Sequence, residues 1–79
     1  MRRTSRLSPA FAKLIRKYRL RKGLSQEVLA EAASVHHTYI GLLERGLRKP
    51  TLEVADRLAK ALGKKLSALV EEAERAEIE

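Results

Sequence analysis

Gln26, His36, His37, Thr38, Tyr39, Arg45, Arg48 and Lys49 are the side chains in this 79-residue chain whose types and spacing could do chemistry. Amides, hydroxyls, imidazoles and cations of this kind donate hydrogen bonds, and phosphate oxygens and base edges are the acceptors that suit them. Hydrolysis or group transfer finds no equipment: no carboxylate pair frames a cleft, no glycine-rich loop could cradle a nucleotide, and no nucleophile has a base beside it. The chain is expected to be no enzyme and to need no cofactor. Nor do the adjacent histidines make a metal site. Successive residues on a helix diverge by about 100°, and the chain has no cysteine to join them.

The formal charge of +7 is unevenly placed. Residues 1–23 hold nine lysines and arginines and no acid, residues 24–63 hold five of each sign, and residues 64–79 hold three bases against five acids. One end thus carries a field suited to a polyanion, where a solvated helix face is the plainer alternative. A membrane surface fits less well, because the apolar residues opposite the charge are claimed by the core. No apolar run approaches the roughly 18 residues a spanning helix needs, so a soluble, cytoplasmic protein is expected. A chain this short buries only about 60% of its unfolded surface, which leaves one modest core and no room for a second domain.

The elements that must position these side chains follow from caps and periodicity. Ser8-Pro9 reads as a helix start, and Phe11, Leu14, Ile15 and Tyr18 fall at helical spacing up to Gly23. Ser25 caps a second helix reaching about Ala33, with Leu24 stapled onto Leu29, with Val28, Leu29, Ala32 and Ala33 inward, and with Ala30 small enough for a close crossing. Ser34-Val35-His36 interrupts, Ile40 and Leu43 anchor a third helix, and Gly46 ends it. Thr51 caps a fourth with Leu52, Ala55, Leu58, Ala59 and Leu62 inward, and Leu66, Leu69, Val70 and Ala73 mark a fifth. No segment alternates with period two. The expectation is all-α: a flexible basic arm over 1–7, one domain over 8–74, and an acidic, frayed tail over 75–79.

Two short helices joined by a turn of about three residues, the second polar outside, form the helix-turn-helix plan. His37, Thr38, Gly41, Leu42 and Arg45 remain outward on that second helix. The stretches Ser25-Gln26-Glu27-Val28-Leu29-Ala30, Thr38-Tyr39-Ile40, Leu43-Glu44-Arg45-Gly46 and Lys49-Pro50-Thr51-Leu52 together resemble the Xre/Cro family of phage-repressor-type domains. The resemblance runs from about Phe11 to Val70, and the Tyr39 to Arg45 stretch is similar to restriction-modification controller proteins and small stand-alone Xre regulators.

The resemblance implies a compact five-helix, lambda-repressor-like domain that regulates transcription on double-stranded DNA. It places Gln26, His36, Tyr39, Arg45, Arg48 and Lys49 against phosphates, and His37, Thr38, Gly41 and Leu42 against base edges in the major groove. It makes Arg19 and Glu44 a helix-bridging ion pair, and Leu66, Leu69, Val70 and Ala73 a homodimer interface that sets two reading helices on an inverted repeat. An antitoxin or bridging module of the same fold, holding a protein partner through its acidic end, is the rival. Three departures stand out: Ser34 where a turn glycine is common, His36 where Ser, Thr or Asp would cap better, and Gly41 and Leu42 where polar readers are usual. The charge placement predicts steep salt dependence. For 6 to 10 phosphate contacts, duplex affinity should fall about 10³- to 10⁵-fold between 50 and 200 mM salt, measured with a labelled duplex.

Overall fold

The computed structural model describes residues 6–78, within which all regular structure is helical: α1 (Leu7–Arg21), α2 (Gln26–Ala33), α3 (His37–Glu44), α4 (Leu52–Ala61) and α5 (Leu66–Ile78). Arg2 and Arg3 of the basic arm lie outside the described residues. Helix α1 begins a residue earlier than Ser8, with Arg6 at the cap position and no side-chain cap bond. Leu7 is drawn in because it packs against the core, and Pro9 fits the first turn, where its missing N–H has no helical partner to lose. Ser25 and Thr51 do cap as expected, accepting from the Val28 and Val54 amides at 3.0 and 3.1 Å. Helix α5 runs on to Ile78, so the acidic end is helical rather than frayed there.

Ile15, Leu29, Ile40, Leu43, Leu58 and Leu69 are fully buried and bring all five helices onto one core. Three inward assignments need correction. Helix α2 turns Leu29, Ala30 and Ala33 to the core, leaving Val28 and Ala32 exposed, and Leu52 at the start of α4 also faces solvent. On a two-turn helix the stripes 28/32 and 29/33 differ by only about 100°, and apolar spacing suits either. Ala30 is buried as a close crossing requires.

The link from α2 to α3 is sharper than its sequence suggests. Ser34 takes the left-handed conformation, φ 59° and ψ 45°, alone among the described non-glycine residues. That strain costs on the order of 1 kcal/mol. It lets the Val35 amide turn back to the Ala30 carbonyl at 3.0 Å, and Arg57 of α4 donates Nε to the Ala33 carbonyl at 2.8 Å.

Helix α5 is fastened to α1 by a polar clasp. The Tyr18 hydroxyl donates to Glu72 Oε1 at 2.7 Å, Lys17 Nζ reaches Glu72 Oε2 at 3.3 Å, and Lys64 Nζ stands 4.2 Å from the Tyr18 ring centre. The Tyr18 hydrogen bond, helped by Lys17 and Lys64, outweighs burial and holds the Glu72 carboxyl below its ordinary value; the same bond pushes the Tyr18 hydroxyl up. Leu69 and Ala73, expected at a dimer interface, are instead spent in this chain's own core, while Leu66 and Val70 stay half-buried.

A carboxyl whose native value is depressed stabilises at neutral pH and stops doing so as pH falls through that value. Glu72→Gln should therefore lower stability at pH 7 by about 0.5 to 1 kcal/mol, a partly exposed contact being screened. The gap from wild type should close as pH falls from about 6 to about 3, below the ordinary carboxylate range. Urea titrations across that range measure it.

Candidate nucleic-acid interface

Glu44, in the last turn of α3, is the point from which the site is built. Its carboxylate takes Arg19 Nε on Oε2 at 2.7 Å and Arg19 Nη2 on Oε1 at 3.0 Å, a bidentate pair whose side chains are 9% and 3% exposed. Arg19 Nη1 donates to the Leu24 carbonyl at 2.8 Å, fixing the turn that leads into α2. Gln26, the first residue of α2, donates Nε2 to the same Glu44 Oε1 at 3.1 Å. One carboxylate thus joins α1, α2 and α3.

Gly41 completes this arrangement. A β-carbon at that position would stand 3.5 Å from Gln26 Oε1, already in van der Waals contact, so the amide lies directly against α3 where a longer side chain would displace it. Helix α3 is capped by His36, whose Nδ1 accepts from the Thr38 amide at 3.1 Å. In place of the Ser, Thr or Asp that would cap better, an imidazole nitrogen does the work usually given to an oxygen. The His36 and His37 rings stack, with centres 4.5 Å apart and planes 27° from parallel.

The other sequence-nominated residues fall around this centre. His37 and Thr38 are exposed, and Gly41 and Leu42 are half-buried on the turn behind them. Tyr39 is half-buried; burial raises its hydroxyl above the ordinary value, partly offset by the Arg48 charge, so it stays protonated and able to donate. Arg45 returns Nε to the Gly41 carbonyl at 3.2 Å, and Arg48 holds the Leu47 carbonyl at 3.2 Å. Gly46, at φ +78°, ends α3 and turns the chain toward exposed Arg48 and Lys49. Two polar partners escaped sequence reasoning: the Gln26 to Glu44 bond and Arg57 on the Ala33 carbonyl. Neither has a periodic signature, although an arginine beside an apolar helix stripe is a weak one.

Among the described residues no group of three His, Cys, Asp or Glu side chains comes together to hold a metal, and no helix is long and apolar enough to cross a membrane.

Two short helices, the second locked to α1 by a buried ion pair and to the first through the Gln26 amide, with exposed cations following it, define a helix-turn-helix DNA-binding domain. Residues 15–69 match the family model described as helix-turn-helix, and the chain belongs to that family, in its Xre/Cro type. It is 46% identical over 59 residues to control protein C.SmaI of Serratia marcescens, covering 75% of this chain and 70% of that one. Among solved structures it is similar to the restriction-modification controller protein C.AhdI from Aeromonas hydrophila, with 38% identity, a TM-score of 0.74, and 77% and 92% of the two chains covered. A tyrosine-to-phenylalanine mutant of C.Esp1396I bound to its highest affinity operator site superposes with a TM-score of 0.85 at 28% identity, covering 96% of this chain and all 100% of that one.

Removing Glu44 leaves the Arg19 guanidinium buried without its counter-charge. Glu44→Ala should cost about 3 to 5 kcal/mol, against under about 1 kcal/mol for Glu27→Ala, the loss of an exposed charge near a helix start. Chemical denaturation of the two variants gives the comparison.

Proposed function

We propose that this chain is a sequence-specific transcription regulator that binds an inverted-repeat operator as a homodimer, with α3 in the major groove. The observation that carries this reading is the Glu44 carboxylate holding Gln26 against Gly41. It makes the start of α2 and the outer face of α3 one preformed donor surface. Gln26, His36, Tyr39, Arg45, Arg48 and Lys49 meet phosphates, and His37, Thr38, Gly41 and Leu42 meet bases. A binding role without catalysis accords with relatives that are regulators, and operator binding by the C.Esp1396I mutant supports duplex DNA as the ligand over a protein partner. The protein would then act in the cytoplasm, on the nucleoid.

His37 and Thr38 are the only polar readers on α3, and Leu42 can meet only a thymine methyl. Discrimination per base is therefore modest, and DNA shape supplies part of it. Leu66 and Val70 remain from the four residues nominated for the dimer contact, because Leu69 and Ala73 are internal.

Selection of bound duplexes from a random pool at about 150 mM salt, where non-specific binding is weakened, should enrich an inverted repeat. Its half-sites should lie about 34 Å apart, one helical turn. Arg45→Glu with Arg48→Glu should abolish the enrichment. Uniform recovery of all sequences would overturn the proposal.

A further inference from the structure

We infer that Arg57 is a positioning residue for base reading: from α4 it holds the left-handed turn that aims α3, without itself touching DNA. The inference rests on the reading of α3 above. Among the described residues, four helix ends close in the same way, with one left-handed residue followed by an amide that bonds back five positions. Gly23, Gly46 and Gly63 make three of these turns, through Leu24 on Arg19, Leu47 on Leu42 and Lys64 on Ala59 at 3.0, 2.8 and 2.8 Å. Ser34 makes the fourth, through Val35 on Ala30 at 3.0 Å.

The serine alone brings a β-carbon into that conformation, which L residues resist. Its turn is also the one of the four, among the described residues, in which the preceding carbonyl takes a side chain: Arg57 Nε donates to the Ala33 oxygen at 2.8 Å. Helix α2 has no basic residue in its own last turn, so the guanidinium supplies from outside the positive charge that a helix C-terminus favours. The support is rigid at its root, since Ala55, Leu58 and Ala59 around Arg57 on α4 are buried.

The consequence is leverage. The peptide that Arg57 holds joins Ala33 to Ser34, and the φ rotation of Ser34 starts from it. Residues 34–36 separate α2 from α3, and the readers His37 and Thr38 follow at once. A small rotation at Ser34 therefore swings the start of α3, whose last turn is already pinned by Arg19 on Glu44. Phosphate contacts through long, flexible cations absorb such a swing, whereas base contacts through short side chains on α3 do not. Loss of the Arg57 bond lowers the preference among sequences and leaves the sequence-independent attraction in place.

The test compares the full chain with Arg57→Gln, titrating a duplex selected by the wild type and a shuffled duplex of the same composition between about 50 and 200 mM salt. The ratio of the two affinities should fall about fivefold, the worth of one hydrogen bond, with the salt slope unchanged. Ser34→Gly takes the left-handed conformation at no steric cost, so adding it should bring the ratio of the double variant within about twofold of Ser34→Gly alone. In the free chain, hydrogen exchange of the Val35 amide should quicken in Arg57→Gln while the Lys64 amide, in the equivalent turn after α4, holds its rate. Faster exchange at both amides with the ratio unmoved would make Arg57 merely structural and overturn the inference. Equal weakening of both duplexes with a salt slope lower by about one would make it a phosphate contact and overturn it as well, as would a double variant no better than Arg57→Gln. Should Arg57→Gln alone fail to fold, the double variant decides: folding with the ratio of Ser34→Gly supports the inference, and failing to fold overturns it. If the wild type prefers no duplex, the DNA reading fails and takes the inference with it; a preference that Arg57→Gln leaves intact removes the inference alone.

Discussion

The Glu44 carboxylate stands where three helices meet, in a position that opposes it twice. It is almost fully buried, where a lone charge would be strongly disfavoured, and it sits at the negative end of the α3 dipole. The bidentate Arg19 contact offsets both, and the third Arg19 donor on the Leu24 carbonyl leaves the guanidinium satisfied as well. A buried pair of this kind does not by itself stabilise more than apolar packing would. Its consequence is registry. Helix α3 has eight residues, too few to hold its own position, and an apolar core of leucines and alanines would tolerate small rotations about its axis. A forked ion pair tolerates far less, and the angle of α3 decides which side chains face outward.

That constraint explains the sparse outer face of α3. Ile40 and Leu43 are committed inward, Tyr39 and Leu42 are half-buried, and Glu44 is taken by Arg19. Position 41 is occupied by the space Gln26 needs. What α3 gives up in polar side chains it recovers from a neighbouring helix, through an amide whose position is set by the same carboxylate. The first turn, carrying His37 and Thr38, is held by the His36 cap, and the last turn is closed by Gly46 and by Arg45 on the Gly41 carbonyl. A helix fixed at both ends and along its inner face can present a few donors without a large entropy cost on binding.

Legibility in the sequence follows the range of each interaction. The Ser25 and Thr51 caps and the Phe11, Leu14 and Ile15 stripe are local, repeating features, and the chain adopts them as its periodicity implies. The left-handed turn was legible as a conflict, since Ser34 stands where a glycine would be easier. Val28, Ala32 and Leu52 were not legible, because the burial of one apolar stripe over its neighbour is decided by the partner helix. The Gln26 bond to Glu44 spans 18 positions and the Arg57 bond to Ala33 spans 24; contacts between a long flexible side chain and a distant acceptor leave no spacing to read. The capping role of His36 lay within reach, for the chain was already short of an oxygen there.

The fate of α5 shows how little surplus a chain of this size has. Its apolar stripe looked sufficient for both a core and a twofold contact, yet Leu69 and Ala73 are consumed internally, and the Tyr18 to Glu72 clasp fixes α5 against α1. On the proposed reading, the self-contact is left with the half-buried edge of Leu66 and Val70. An interface of that kind falls below the large apolar surfaces of obligate dimers. Its occupancy would then follow protein concentration by mass action. On that reading, operator occupancy would respond to the concentration of the protein itself. The same economy that spent α5 on stability would make the regulator sensitive to its own abundance.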